Sequence, residues 1–166
     1  IDIYAQHVTS DNSVVHLENG ILICNADNLQ FNPLVRNDGN QGAIIIWGDQ
    51  RTGGSYSINM QHLESSGVNL IANGKETFFG IATDAANEPY KHGILDLGHN
   101  SSLVYWQDNR DGASKIFGTI MSSSFDVSSD VFSNTDVNGT LLTEFNLVQE
   151  NPKAIVSDDK IFLSFE

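Results

Sequence analysis

Apolar and polar residues alternate with period two in "IYAQHV" (residues 3–8) and in "SINMQHL" (residues 57–63), the pattern of a strand with one buried face. "GAIIIW" (residues 42–47) is instead continuously apolar, which predicts a strand covered on both faces. Clusters of Gly, Asn, Asp and Ser separate these runs, as in "NDGNQG" and "RTGGS". Such residues accept positive φ or bond their own backbone, and so make turns. No segment carries a convincing helical period. The pattern predicts an all-β chain.

Four marks recur in the same order. Asn-Gly stands at Asn19–Gly20, Asn73–Gly74 and Asn138–Gly139. All three prolines, Pro33, Pro89 and Pro152, follow Asn or Glu. An apolar run ends in an aromatic residue at Trp47, Trp106 and Phe165, and an alternating strand starts near Asp2, Ser57 and Lys115. The prolines lie 56 and 63 residues apart, a variation that loops between repeated strands absorb. About four strands in each 55–60 residues is the mark of a β-propeller blade of four antiparallel strands. The expected division is a half-blade over about 1–18, blades over about 19–73 and 74–137, and a half-blade over about 138–166. That is three blades' worth. A closed propeller has about four to eight, so either a longer propeller or a second copy of the chain is expected to complete the ring. The chain opens on a strand-like segment with no initiator Met or signal peptide, and it reads as a processed or excised piece.

The stretch "NGILICNADNLQFNPLVRNDGNQGAIIIWGDQRTGGSYSINMQHLESSG" (residues 19–67) resembles the blades of large secreted bacterial proteins, of the kind found in Bacteroidetes. Those blades run Asn-Gly, an Ile-Cys stretch, Gln and Pro, Asp-Gly, Gly-Ala-Ile, then Trp-x-Asp-x-Arg. The rest of the chain matches more loosely. "GILDLG" (residues 93–98) departs from the pattern, and Phe165 stands where a third Trp is due. The resemblance implies an architecture, an extracellular or cell-surface setting and export by the type IX route; it implies no particular activity.

The charge narrows the partners. Twenty-one acidic against eight basic residues leave a net charge of −13, which repels nucleic acid and anionic membrane surfaces. No apolar run approaches the roughly 18 residues that span a bilayer. Cys24, the single cysteine, sits in apolar "ILICN" and reads as a buried, inert thiol with no disulfide partner.

Trp-x-Asp-x-Arg occurs twice, as Trp47/Asp49/Arg51 and Trp106/Asp108/Arg110. Alternate residues of a strand share a face. The Asp is therefore placed to accept from the indole and the following turn, while the Arg pairs with it or lies over a ring. Repetition favours a turn-locking role; the alternative is a ring of Asp and Arg that binds an anion or a sugar. A sialidase-like site needs a cluster of arginines, a Tyr nucleophile and an acid. The three arginines, Arg36, Arg51 and Arg110, do not supply one, because two of them are repeat equivalents. Repetition also accounts for His7 and His62, while His16, His92 and His99 lack ligand spacing. Oxygen-rich loops make calcium a candidate near Asp108, Asp111, Asp126, Asp130 and Asp136, although none follows the calcium-loop pattern. Tyr56, Tyr90 and Tyr105 could stack on sugars if exposed, but their alternation favours packing. The expected function is a non-enzymatic extracellular scaffold or adhesion module whose blade-end loops meet a carbohydrate or protein. The alternative is a fragment of a carbohydrate-active enzyme with its catalytic residues elsewhere.

Overall fold

The computed structural model describes residues 1–16, 19–54, 56–66, 79–80, 91–98, 101–110, 112–122, 139–143 and 147–166. Within them the chain is all-β, with no helix. Strands β1 (Ile3–Ala5) and β2 (Ile21–Cys24) form a pair. Strands β3 (Gln30–Asn37), β4 (Ala43–Asp49), β5 (Ser57–Leu63) and β6 (Phe79–Gly80) form a four-stranded sheet in chain order. So do β7 (His92–Gly98), β8 (Ser101–Asp108), β9 (Lys115–Ser122) and β10 (Thr140–Leu141). Strands β11 (Lys153–Ser157) and β12 (Lys160–Ser164) close the series as a hairpin. Every pairing is antiparallel. Among the described residues the sheets form an open series, with no closed barrel or ring.

The hydrogen bonds group the strands differently from the sequence units. "ILIC" belongs with the strand before it, since Ile3, Tyr4 and Ala5 face Cys24, Leu22 and Ile21. The sheets therefore span 3–24, 30–80, 92–141 and 153–164, and divisions at 18/19 and 137/138 fall between paired strands. The reason is the role of Asn-Gly, which marks the turn into a sheet's last strand and not the gap between sheets. Gly20 and Gly139 both have positive φ, 76° and 67°, immediately before β2 and β10. The turn at 73–74 lies outside the described residues.

Continuous apolar β4 is buried on both faces. Ile44 and Ile46 join Ile58, Met60, Val104, Trp106, Phe117 and Met121 in a core between the two four-stranded sheets. Ile45 and Trp47 point the other way, into a core with Ile3, Ile23, Cys24 and Leu63. Burying one such side chain is worth about 1.5–3 kcal/mol, so β4 anchors two interfaces at once. Each Trp faces the preceding sheet in the series. Contacts run from β3 to β7 and from β7 to β11, so the first strands of successive sheets lie side by side.

Local sequence explains two further features. Asn32 and Asn151, each followed by Pro, adopt φ of 49° and 53°, a left-handed backbone that Asn tolerates. The first lies in a bulge of β3, an outer strand of its sheet where Pro costs no ladder bond. "GILDLG" departs from the repeat because Gly93 faces Tyr105 where Leu34 faces Ile46. A Cβ on Gly93 would lie 2.2 Å from the Tyr105 ring. A large–small pair thus replaces a medium–medium one.

A Cβ on Gly139 would lie 2.4 Å from the Trp106 ring, and its φ is left-handed. We expect Gly139→Ala to lower stability by about 2–4 kcal/mol, from overpacking and backbone strain together. Urea unfolding followed by Trp fluorescence measures this, and a change below about 0.5 kcal/mol would contradict the packing described.

Candidate functional site

The Trp-x-Asp-x-Arg segments build two closed sets of side chains at the ends of β4 and β8. In the first, the Trp47 indole donates to Asp49 Oδ2 at 2.9 Å. The Arg51 backbone N–H donates to Asp49 Oδ1 at 2.9 Å, closing the turn. The Arg51 guanidinium grips the same carboxylate at both oxygens, Nε to Oδ1 at 2.9 Å and Nη2 to Oδ2 at 2.6 Å. The Asp49 side chain has no exposed surface. In the second set Trp106 donates to Asp108 Oδ2 at 3.3 Å, and the Arg110 backbone to Oδ1 at 2.8 Å. Arg110 Nε meets Oδ2 at 2.7 Å, and Nη2 joins it there. The Arg110 guanidinium also lies 4.2 Å over the Phe117 ring. Two-residue spacing puts the Trp and Asp side chains on one face of the strand, and the turn that follows brings the Arg back onto the carboxylate.

The environments of the two sets differ. Arg51 Nη2 also reaches Cys24 Sγ at 3.4 Å. Burial is the main influence on that thiol and pushes its pKa up, so it is held as the unreactive S–H form. Burial pushes the Asp49 pKa up as well, but the bonds from Arg51 and Trp47 outweigh it, and the net pKa lies below the usual carboxylate value.

A third buried carboxylate lies at the other end of the same sheet. Asp38 Oδ1 accepts from the backbone of Asn40 at 2.7 Å and Gly42 at 2.8 Å, which shapes the "NDGNQG" turn. Its Oδ2 meets His62 Nε2 at 2.7 Å, with both side chains 4% exposed. Burial opposes the charge of Asp38, but the His62 and backbone bonds prevail and its pKa is lowered. Sequence reading did not find this pair. Asp before Gly signals a turn, but nothing local announces a partner 24 residues away.

The remaining candidates scatter. Arg36 bridges β3 to β7 through Asp96 at 3.1 Å. His92 Nε2 meets the Asn32 carbonyl at 2.9 Å, a second link between the first strands. His62 is buried, whereas His7, its equivalent, is exposed and has its ring 6.3 Å from that of His16. The Tyr105 hydroxyl accepts from the Ala154 backbone at 3.1 Å, and burial raises its pKa. Tyr56 is half-buried, edge-on to Phe31. Asp108 is not open to calcium, being buried under its own Arg and Trp. Asp111, Asp126, Asp130 and Asp136 lie outside the described residues, as do Tyr90 and His99. Among the described residues no group of three or more His, Cys, Asp or Glu side chains could hold a metal ion.

Two outcomes are expected from these sets. Asp49→Asn leaves the Arg51 charge in a partly buried site without its counter-charge. It should cost about 3 kcal/mol in urea unfolding, the lower end for breaking a buried pair. Asp38 and Asp49 are both depressed below the ordinary carboxylate value of 3.8. Just below that value the unfolded chain binds more protons than the folded one, so stability rises with pH there. The contribution is complete above 3.8 and lost as pH falls through the folded pKa values. Urea midpoints measured between about pH 5 and 2.5 should fall less steeply in Asp38→Asn and Asp49→Asn than in the unsubstituted chain.

No protein-family model, no curated protein and no solved structure matches this chain.

Proposed function

We propose that the chain is a run of β-propeller blades serving as a non-enzymatic scaffold outside the cell, with polar loops that meet a carbohydrate or protein ligand. One observation carries the non-enzymatic part. All three buried carboxylates among the described residues, Asp38, Asp49 and Asp108, are engaged by His62, Arg51 and Arg110 in turn-closing sets. A glycosidase acid needs the reverse, a carboxyl held protonated by a raised pKa. Asp38 and Asp49 are shifted the opposite way.

Three features support the blade reading: four-stranded sheets in simple chain order, stacking with the same face forward, and first strands side by side. The net charge of −13 and a single buried thiol suit an oxidising, extracellular setting. The locked turns give the adjoining loops a rigid base; the exposed Thr52–Gly53–Gly54 segment follows Arg51 directly.

The test pairs a glycan and surface-protein binding array with a panel of chromogenic glycosides. Saturable binding with no turnover is expected. Hydrolysis of any glycoside at a rate that scales with protein concentration would overturn the non-enzymatic reading. Binding of neither sugars nor proteins would remove the ligand claim.

A further inference from the structure

We propose that His7 and His16 form a two-imidazole site for a divalent d-block cation of the zinc and copper class. Neither histidine has a ligand spacing along the chain; the fold of the connection between β1 and β2 supplies the proximity. Val8 faces Val14 across an antiparallel bridge, and the Val15 N–H donates to the His7 carbonyl at 3.0 Å. The tip is closed from within. The Thr9 N–H donates to the Ser13 carbonyl at 2.9 Å, and the Asn12 N–H to the Thr9 carbonyl at 3.0 Å. The Asp11 carboxylate accepts from the Thr9 hydroxyl and the Ser13 N–H, and Asn12 takes a left-handed φ of 65°. Gln6 ties the base, where its Oε1 accepts from the His7 N–H at 3.0 Å and the His16 N–H at 3.3 Å. Both histidine backbones thus hang from one amide oxygen. Their rings stand 6.3 Å apart, centre to centre, at an interplanar angle of 51°.

The state of the two rings decides what they can hold. His7 is exposed and His16 half-buried, and among the described residues neither imidazole makes a hydrogen bond or an ion pair. The repeat equivalent of His7 differs: the His62 ring is buried against Asp38 at 2.7 Å. His62 is committed to structure, while His7 and His16 keep ring nitrogens for a ligand. A neutral imidazole offers one nitrogen lone pair, and two that face each other are reconciled by a cation between them. A metal bonded at about 2.0–2.1 Å to one nitrogen of each ring lies about 3 Å from each ring centre, so bridged rings stand up to about 6 Å apart. A small turn of the exposed His7 side chain brings the observed separation within that reach. Imidazole nitrogen suits zinc, copper and nickel, whereas calcium and magnesium take oxygen ligands. The net charge of −13 draws in cations of every kind, so the imidazoles supply the selectivity. Water completes the coordination, and the bound ion staples the two chain segments at the root of the hairpin.

Zinc chloride titrated into the unsubstituted chain tests the site, followed by calorimetry and by the imidazole C–H resonances in NMR. Saturable binding is expected, with the His7 and His16 resonances moving together while those of His62 and His92 stay in place. His7→Gln and His16→Gln should each weaken binding at least about tenfold, because a single ring loses the gain from a second ligand already within reach. His92→Gln should leave it unchanged. Calcium at about a hundredfold excess should not displace the zinc, since it does not compete for imidazole. The absence of saturable binding below about 1 mM overturns the proposal. Zinc binding that survives both histidine substitutions, or that calcium displaces, also overturns it and puts the ion on carboxylates instead. If the substituted chains fail to fold, the resonances of the unsubstituted chain still decide. None of these outcomes depends on what the loops bind.

Discussion

A carboxylate taken out of water at the end of a strand is the constraint on which the rest depends. Asp49 and Asp108 carry charge where no solvent reaches, and a lone buried charge would cost several kcal/mol. Each is made tolerable from inside its own segment, by the indole two residues before it and the guanidinium two residues after it. That closed set fixes the turn after the strand and the rotamer of the Trp. Through the Trp it fixes how closely the preceding sheet can approach. Arg has five donors in a rigid fork, so it can satisfy both carboxylate oxygens and still reach a sulfur or a ring; Lys could not. The stack is thus built from a local electrostatic lock and a non-local apolar interface that meet at one side chain.

The apolar side of that arrangement follows from β4. Alternate residues of one strand serve two different cores, so neither face tolerates a polar replacement. Polar links between first strands, Arg36 to Asp96 and His92 to Asn32, hold the sheets at a fixed offset. Neither link involves the Trp-x-Asp-x-Arg sets, so the sheets are tied near their first strands independently of the turns.

Much of this was legible in the residues. Period-two alternation and the continuous run of "AIIIW" predicted the strands, and the continuous run also predicted burial on both faces of β4. The single buried face expected for "SINMQHL" is not what the structure has, since Asn59 and Gln61 are buried along with Ile58 and Met60. The Trp-x-Asp-x-Arg contacts were legible too, since all three side chains lie within five residues, at a strand end and the turn that follows it. The grouping of strands into sheets was less so. Asn-Gly announces a turn but not which strands the turn joins, so the units were cut one strand early. The Asp38–His62 pair was invisible, because its geometry comes from register between β3, β4 and β5 and leaves no local pattern. The divergence of His7 from His62 is similar: the residues match, but among the described residues only His62 is paired with an Asp.

The Gly93–Tyr105 pair carries a consequence for how such a chain can change. Its counterpart, Leu34–Ile46, fills a comparable space with a different division of volume. Exchanging β8 for β4 alone would set Tyr against Leu and overfill the site. Exchanging β4 for β8 alone would set Ile against Gly and leave a hole. The two sheets share a plan but not parts, so an exchange of strands between them succeeds only when first and second strands travel together. Steric linkage of this kind lets two sheets of one plan keep different side chains.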